Sequence, residues 1–400
     1  MPTLKFLLTS TFYPPYHLGG DAVHVEYLAE ELAKRGHEVH VMHSMDAYQV
    51  KRGKREPLKP PAPGYSSVHI HGVKSSLSVL DPLMVYTFGN SIYVQRKFSE
   101  TIKKIRPDVV HHHNISLLGY GILEKKANYL SLYTAHDYWL ICPKSSLLVN
   151  EGKTCLQKHC FSCGIRSKRP PQLWRSLKPF KRAIESIDLI ISPSDYVRIR
   201  IAQEVNVKSV TIPNFAPLPP SNIASIEYSN YFLFVGTLEK HKGILNLLEV
   251  FKDLRNKLDA KLIIVGMGSL KYYIQDFIKK NSLSDSILLL GFVSREKLYS
   301  LYANTLALIL PSVWAENAPL VALEALSVGS PVLASNKGGL PEILEKVNKE
   351  LVFDNMERLK EKLLNFSRNR FPPSRMRNVY ESNFSPEAYI KKYIEIVQSK

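Results

Sequence analysis

Two glutamates eight positions apart, Glu316 and Glu324, lie in the stretch P-S-V-W-A-E-N-A-P-L-V-A-L-E-A-L-S-V-G-S-P-V-L-A-S-N-K-G-G-L-P-E-I-L-E from Pro311 to Glu345. Carboxylates accept hydrogen bonds from sugar hydroxyls. Between them the sequence opens a helix at Pro319, because proline suits the first helical position. The backbone N–H groups of Ala318, Leu320 and Val321 then precede the first intrahelical bond. A helix start of this kind attracts phosphate. One element therefore offers an anion cradle flanked by two carboxylates. A nucleotide-sugar carries both complements, a diphosphate and several hydroxyls.

Other residues carry chemistry elsewhere. Lys242 lies just before the last glycine of the run G-T-L-E-K-H-K-G and can neutralise charge that develops on a leaving phosphate. His136 and Asp137 follow the apolar run Leu130–Thr134, at the strand end where open α/β sheets bind ligands. Gly19 and Gly20 sit in a loop where backbone can approach a ligand closely. Three histidines in a row, His111, His112 and His113, resemble a metal site. In a strand, however, neighbouring side chains face opposite sides and cannot all converge. They read as structural or acceptor-lining rather than as ligands. Cys142, Cys155, Cys160 and Cys163 are the only cysteines. Their clustering, ending in C-x-x-C, suggests a small structural zinc site, with disulfides or free thiols as the alternatives.

The spacing E-x7-E, followed by A-L-S-V-G-S-P-V-L-A-S and G-G-L-P-E, resembles the retaining GT-B glycosyltransferases related to glycogen and sucrose synthases (glycosyl transferases group 1). The resemblance implies two Rossmann-like domains facing across a cleft. It implies that Glu316 holds the donor sugar's hydroxyls, that Glu324 holds the ribose, and that His136 sits beside the anomeric carbon. It places Gly19 and Gly20 near the donor phosphates. It places the backbone of Gly291, Phe292 and Val293 around the nucleotide base. Relatives read G-R-L-x-x-x-K-G where this chain has Gly236, Thr237 and Lys242, so the arginine of a two-cation phosphate clamp is replaced by Thr237. Lys240 or His241 could substitute for it. The resemblance covers nearly the whole chain except residues 142–182.

The elements that must position these groups follow from hydrophobic patterning. Leu4–Thr9, Glu38–Met42, Pro107–Asn114, Leu130–Thr134, Ile187–Ser192 and Val210–Ile212 read as strands of a first α/β domain, residues 1–212. A helix Ala22–Arg35 carries Val25, Leu28, Ala29 and Leu32 on one face and stops at Gly36. No G-x-G-x-x-G follows the first strand, which argues against a dinucleotide dehydrogenase. The run P-N-F-A-P-L-P-P-S from Pro213 is a linker. Strands Tyr231–Val235, Lys261–Val265, Ile287–Leu290 and Leu306–Leu310 then repeat the pattern through residue 385. Residues 386–400 form a terminal helix that relatives fold back onto the first domain.

The net charge of +17 is uneven. Residues 1–215 hold 29 Lys and Arg against 17 Asp and Glu, or +12, leaving +5 for the rest. A basic first half suits an anionic membrane surface or an acidic acceptor. Residues 47–64 form a basic, proline-rich loop. Residues 165–182 are densely basic with Leu173, Trp174, Leu177 and Phe180 interleaved, an interfacial pattern weakened by prolines. No apolar run is long enough to span a membrane, and the start of the chain reads as a strand rather than a signal peptide. The expected place is the cytoplasm, peripheral on the membrane's inner face.

The function expected is metal-independent transfer of a sugar, with retention, from a UDP- or GDP-linked donor to a glycan or lipid-linked acceptor. No cofactor is expected for catalysis, and zinc only as a structural ion. The alternatives are a donor-binding protein with weak or lost activity, and a nucleotide-sugar epimerase of the same fold. A nucleic-acid binder would rest on charge alone.

Overall fold

The computed structural model describes residues 2–52, 67–125, 127–149, 153–155 and 158–399. Most of the basic proline-rich loop expected at 47–64 lies outside the described residues. The chain divides into two compact units. The first holds residues 1–147, 155–213 and 390–400, and the second holds 148–154 and 214–389.

The first unit is built on a seven-stranded sheet. Its strands are β1 (Lys5–Ser10), β2 (Glu38–Ser44), β3 (Val68–Val73), β4 (Val109–His112), β5 (Leu130–Thr134), β8 (Leu189–Ser192) and β9 (Ser209–Thr211); a two-stranded hairpin, β6 (Leu148–Val149) and β7 (Lys153–Thr154), intervenes in sequence. The order is β3-β2-β1-β4-β5-β8-β9, all parallel. Helices α1 (Gly20–Lys34), α2 (Met45–Arg52), α3 (Leu80–Phe88), α4 (Ile92–Ile105), α5 (Cys160–Arg166), α6 (Lys178–Glu185) and α7 (Asp195–Ala202) accompany it. The central strands are buried, with apolar runs such as Phe6, Leu7 and Leu8, because a parallel sheet is covered on both faces. The segment 165–182 is not one amphipathic helix. It comprises the end of α5, a 3-10 turn at Leu173–Ser176 and the start of α6, with Pro170-Pro171 and Pro179 dividing it.

The second unit repeats the plan with six parallel strands. They are β10 (Tyr231–Val235), β11 (Lys261–Val265), β12 (Ile287–Gly291), β13 (Leu308–Leu310), β14 (Val332–Ser335) and β15 (Val352–Phe353), in the order β12-β11-β10-β13-β14-β15. Its helices are α8 (Ile244–Leu254), α9 (Lys271–Lys280), α10 (Arg295–Asn304), α11 (Leu320–Ser327), α12 (Leu340–Leu344), α13 (Met356–Leu364) and α14 (Pro373–Asn383). The last helix, α15 (Pro386–Gln398), contributes its residues from Ile390 to the first unit. There Tyr393 is buried against Phe6 and His111.

Both sheets reverse strand order once, between β1 and β4 and between β10 and β13. At such a reversal the connections leave on opposite faces and open a crevice at the carboxyl ends of the strands. The expected class, two doubly wound α/β units, is what the chain forms. Among the described residues no helix is long and apolar enough to cross a membrane.

Candidate functional site

In the second unit the loops after β10 and β13 meet at the switch point. Val313 N donates to His241 O at 3.0 Å, Gly339 N donates to Glu316 O at 2.7 Å, and Ser335 Oγ donates to Ser312 O at 2.7 Å. Two glycines permit this approach. Gly243 has φ +74°, and a Cβ there would lie 1.8 Å from Pro311 O. A Cβ on Gly338 would lie 2.1 Å from Glu316 O.

Those loops bring Lys242 to Glu316. Lys242 Nζ donates to Glu316 Oε1 at 2.6 Å, and Ser312 Oγ donates to the same oxygen at 2.7 Å. Lys242 Nζ also lies 5.4 Å from the centre of the Trp314 ring, which packs edge-on against His241. Glu316 is buried. Burial pushes its carboxyl up, but the Lys242 ammonium and these hydrogen bonds more than offset that and hold it below the ordinary carboxylate value. Glu316 therefore stays ionised. His241 is held below its ordinary value, first by burial and then by the neighbouring ammonium. It stays neutral near pH 7. Thr237 itself is exposed beside Gly236.

Helix α11 starts one residue later than the sequence suggests. Pro319 is its N-cap, with ψ 128°, and Leu320 is its first helical residue. Ala322 N donates back to Pro319 O at 3.0 Å, so Leu320 and Val321 precede the first turn's bond. Ala318 is fixed by Asn214 Nδ2, which donates to its carbonyl at 2.9 Å. Glu324 is buried one turn further, where Tyr302 OH donates to Oε2 at 3.1 Å. Burial raises the Glu324 carboxyl above its ordinary value, and the Tyr302 bond only partly counters it. The two glutamates thus occupy opposite electrostatic settings. One is paired with a cation, and the other packs against the tyrosines of α10.

At the neighbouring strand ends, Gly291 closes β12 with φ +72°, and Gly266 N donates to its carbonyl at 2.8 Å. Phe292 is 72% exposed there, while Val293 packs on the core. Met267, at the end of β11, is also exposed and faces Gly291. Sequence reasoning missed Met267 and Trp314. The only signals for them were the G-M-G turn and the rare tryptophan two residues before Glu316.

In the first unit the expected residues also gather at a switch point. Gly19, with φ +86°, caps α1, and Gly20 is its first residue. Asn114 Nδ2, just past β4, donates to Asp21 Oδ2 at 2.7 Å. The three histidines alternate as a strand requires. His112 faces Thr9 Oγ1 at 2.9 Å and the Phe98 ring. His111 and His113 share the other side, with ring centres 4.1 Å apart. His113 Nδ1 and His136 Nε2 are hydrogen-bonded at 2.8 Å, and the His24 ring meets His136 edge-on. His111 bonds both Thr134 Oγ1 at 2.7 Å and Tyr393 OH at 2.9 Å. Burial holds His24, His111 and His113 well below the ordinary imidazole value, and lowers His136 to about 3. The cluster is neutral. Beside it, burial pushes the Asp137 carboxyl up to about 7, while Trp139 N donates to Oδ1 at 2.7 Å.

The expected zinc site is not supported. Among the described residues no group of three or more His, Cys, Asp or Glu could hold a metal ion. Cys142, Cys155, Cys160 and Cys163 are not joined in disulfides, so that alternative is not formed either. They are near enough to influence one another, yet burial and the neighbouring sulfurs push the Cys155 thiol up, and burial does the same for Cys160. The nearby Lys158 donates to Ile141 O at 2.8 Å and pairs with Glu204.

A family model described as "Glycosyltransferase Family 4" matches residues 18–218, and one described as "Glycosyl transferases group 1" matches residues 221–383. An uncharacterized glycosyltransferase of Methanocaldococcus jannaschii is 24% identical over 359 residues, covering 86% of this chain and 83% of its own. Sucrose-phosphate synthase from Thermosynechococcus elongatus superposes with a TM-score of 0.71 at 18% identity, over 99% of this chain and 98% of its own. The Anabaena protein HepE, solved in complex with UDP, superposes with a TM-score of 0.65 at 16% identity, over the full length of both. At these identities the superpositions establish the GT-B fold alone.

Proposed function

Because the chain belongs to the group 1 glycosyl transferases, with a family 4 first half, we propose that it moves a sugar from a nucleoside-diphosphate sugar to a glycan or lipid-linked acceptor, with retention and without a catalytic metal. The observation that carries this is the Lys242–Glu316 pair set before the start of α11. The leaving group is a nucleoside diphosphate, whose charge must be met in the transition state. Lys242 and the first N–H groups of α11 supply a fixed positive field for it. Glu316, ionised and buried, accepts hydrogen bonds from the donor sugar's hydroxyls and keeps Lys242 in place. Glu324 serves the ribose. Phe292 and Met267 offer apolar faces to the base. UDP is the nucleotide we favour, because the HepE structure contains it.

In the first unit His136 contributes a neutral imidazole at a strand end, and Gly19 and Gly20 leave backbone open at the start of α1. Neutral imidazole can accept a hydrogen bond from a sugar hydroxyl without adding charge. The acceptor's proton passes to the leaving phosphate in the front-face route that family precedent favours. The basic first half suits an acceptor at the anionic inner face of the cytoplasmic membrane.

A second reading has one observation in its favour. Thr237 stands where relatives place an arginine, and His241 is neutral. Such a protein would bind donor and turn it over slowly or not at all. A thermal-shift screen with UDP, GDP and ADP, run beside Lys242→Ala and Glu316→Ala, tests the donor site. A shift with one nucleotide that falls in the Lys242→Ala protein supports it. Donor binding without sugar transfer or hydrolysis would select the second reading, and no shift at all would overturn both.

A further inference from the structure

Helix α3 carries its apolar stripe outward. Leu80, Leu83, Met84 and Phe88 recur at helical spacing, and all four are exposed, Phe88 to 64%. The opposite face is buried and holds Asp81, Pro82 and Val85. Ser91 Oγ donates to Asp81 Oδ1 there at 2.7 Å. Ile92, which opens α4, is 87% exposed. A helix that served only the fold would turn its apolar stripe to the core. An outward stripe of this size marks an interaction surface.

The surface continues onto the inserted segment. Trp174 Nε1 donates to Tyr86 O at 3.2 Å, which seats the turn Leu173–Ser176 beside α3. Gly89 makes the room, since a Cβ there would lie 2.6 Å from Trp174. Leu173 and Leu177 are exposed on this segment. So are Arg166, Lys168, Arg169, Lys178, Lys181 and Arg182. No Asp or Glu occurs between Lys153 and Ile184, and the one acid of α3, Asp81, is buried.

We propose that this face docks on an anionic lipid bilayer. The outer side chains of α3, with Leu173 and Leu177, enter the boundary between headgroups and acyl chains, and the basic side chains of residues 166–182 meet lipid phosphates. Neither signal alone gives stable attachment, but an apolar face combined with a basic patch does. Charge decides between occupants. A second copy would set the same basic rim against itself, which repels, whereas anionic headgroups complement it. The inference rests on the lipid-linked acceptor proposed above for its setting, and it places that acceptor's membrane against a defined face of the first unit.

Cosedimentation of the full chain with phosphatidylglycerol–phosphatidylcholine vesicles, against phosphatidylcholine alone, tests this without donor or acceptor. The chain should sediment only with the anionic vesicles at physiological salt. Phe88→Glu should weaken binding at least about 10-fold, because a charge replaces an apolar anchor. Lys178→Glu with Arg182→Glu should weaken it and flatten its salt dependence. All are exposed positions, so melting temperature and the UDP thermal shift should stay unchanged, which separates this inference from the donor reading. Failure to sediment, or equal binding of Phe88→Glu, would overturn it. A dimer in light scattering that Phe88→Glu turns into a monomer would assign the face to a second copy instead.

Discussion

Lys242 Nζ lies 2.6 Å from Glu316 Oε1, and this pair joins the loops on either side of the second unit's switch point. The two residues are far apart in sequence. They meet because β10 and β13 are neighbours in the sheet and because Gly243 lets its loop press against Pro311. Lys242→Ala should therefore act twice. It removes the cation that would meet the leaving diphosphate, and it leaves Glu316 buried without its partner. The first effect should lower kcat/KM by about 100-fold or more. The second should cost about 1–3 kcal/mol of stability. Lys242→Ala with Glu316→Gln should recover most of the stability and none of the activity. Melting curves and initial rates on the two proteins would separate the effects.

The same pair sets a pH dependence. The Glu316 carboxyl titrates below its ordinary value of 4.5 in the folded protein. Its contribution to stability is then complete above that ordinary value, and it is lost as pH falls through the lower folded value. Glu324 behaves oppositely, because its folded value is raised. Ionising it in the buried site is unfavourable, so stability falls as pH rises from 4.5 through the folded value. Glu324→Gln should raise neutral-pH stability relative to wild type, and Glu316→Gln should lower it. Denaturant titrations at pH 7 would show the two signs.

A larger acid response belongs to the first unit. His24, His111, His112, His113 and His136 are all held below the ordinary imidazole value of 6.5 by burial. Below pH 6.5 the unfolded chain takes up protons that the folded one refuses, so stability is lost as pH falls. Asp137 opposes this by one proton, since its carboxyl stays protonated up to about 7 in the fold. Five minus one leaves four protons, at about 1.4 kcal/mol per pH unit each. Unfolding at pH 5 should be accompanied by uptake of about four protons from this group, measured by the slope of stability with pH. An uptake of one or none would mean that the cluster is hydrated.

The stretch around Glu316 and the two doubly wound sheets were legible because local signals agreed there. Apolar runs, a proline at the helix start and glycines at tight turns all pointed one way. Helices α3 and α4 were not legible in the same sense. The apolar stripe of α3 faces solvent, so hydrophobic periodicity there gives no guide to the core. The histidines were legible as to face, since strand alternation separates His112 from its neighbours. Their common contact with His24 and His136 was not, because it depends on strand order. The zinc site suggested by the cysteine spacing is not supported, because among the described residues no group of three or more His, Cys, Asp or Glu is placed to hold a metal ion. A chelator should accordingly leave the melting temperature unchanged, and four thiols should react with a thiol reagent in the unfolded chain.

Phe292 offers a test in which stability is uncoupled from binding. Its side chain is 72% exposed at the end of β12, so truncation removes little packing. Stacking of a base on an aromatic ring contributes about 1–3 kcal/mol. Phe292→Ala should weaken UDP binding roughly 5- to 150-fold with an unchanged melting temperature. Calorimetric titration with UDP would measure it, and unchanged affinity would move the base elsewhere.

Under the proposed function Thr237 stands where an arginine of a two-cation clamp is expected, and introducing that arginine is the informative experiment. Thr237 is exposed at the end of β10, beside Gly236, so an arginine there meets solvent rather than core. The local field favours it, because Glu239 lies two residues on, its carboxylate accepting from Ser269 N at 2.8 Å and Ser269 Oγ at 2.7 Å. A guanidinium reaching a diphosphate makes charge-assisted, bidentate bonds, each contributing about 1.5–3 kcal/mol. Thr237→Arg should therefore tighten UDP binding about 10-fold or more. If the natural protein uses Lys242 and α11 alone, transfer should accelerate by a smaller factor, because much of the new bond is made to the ground-state diphosphate as well. If Thr237→Arg tightens nucleotide but creates transfer where none was measurable, the natural chain is a donor binder. If it changes neither, the diphosphate does not approach the end of β10.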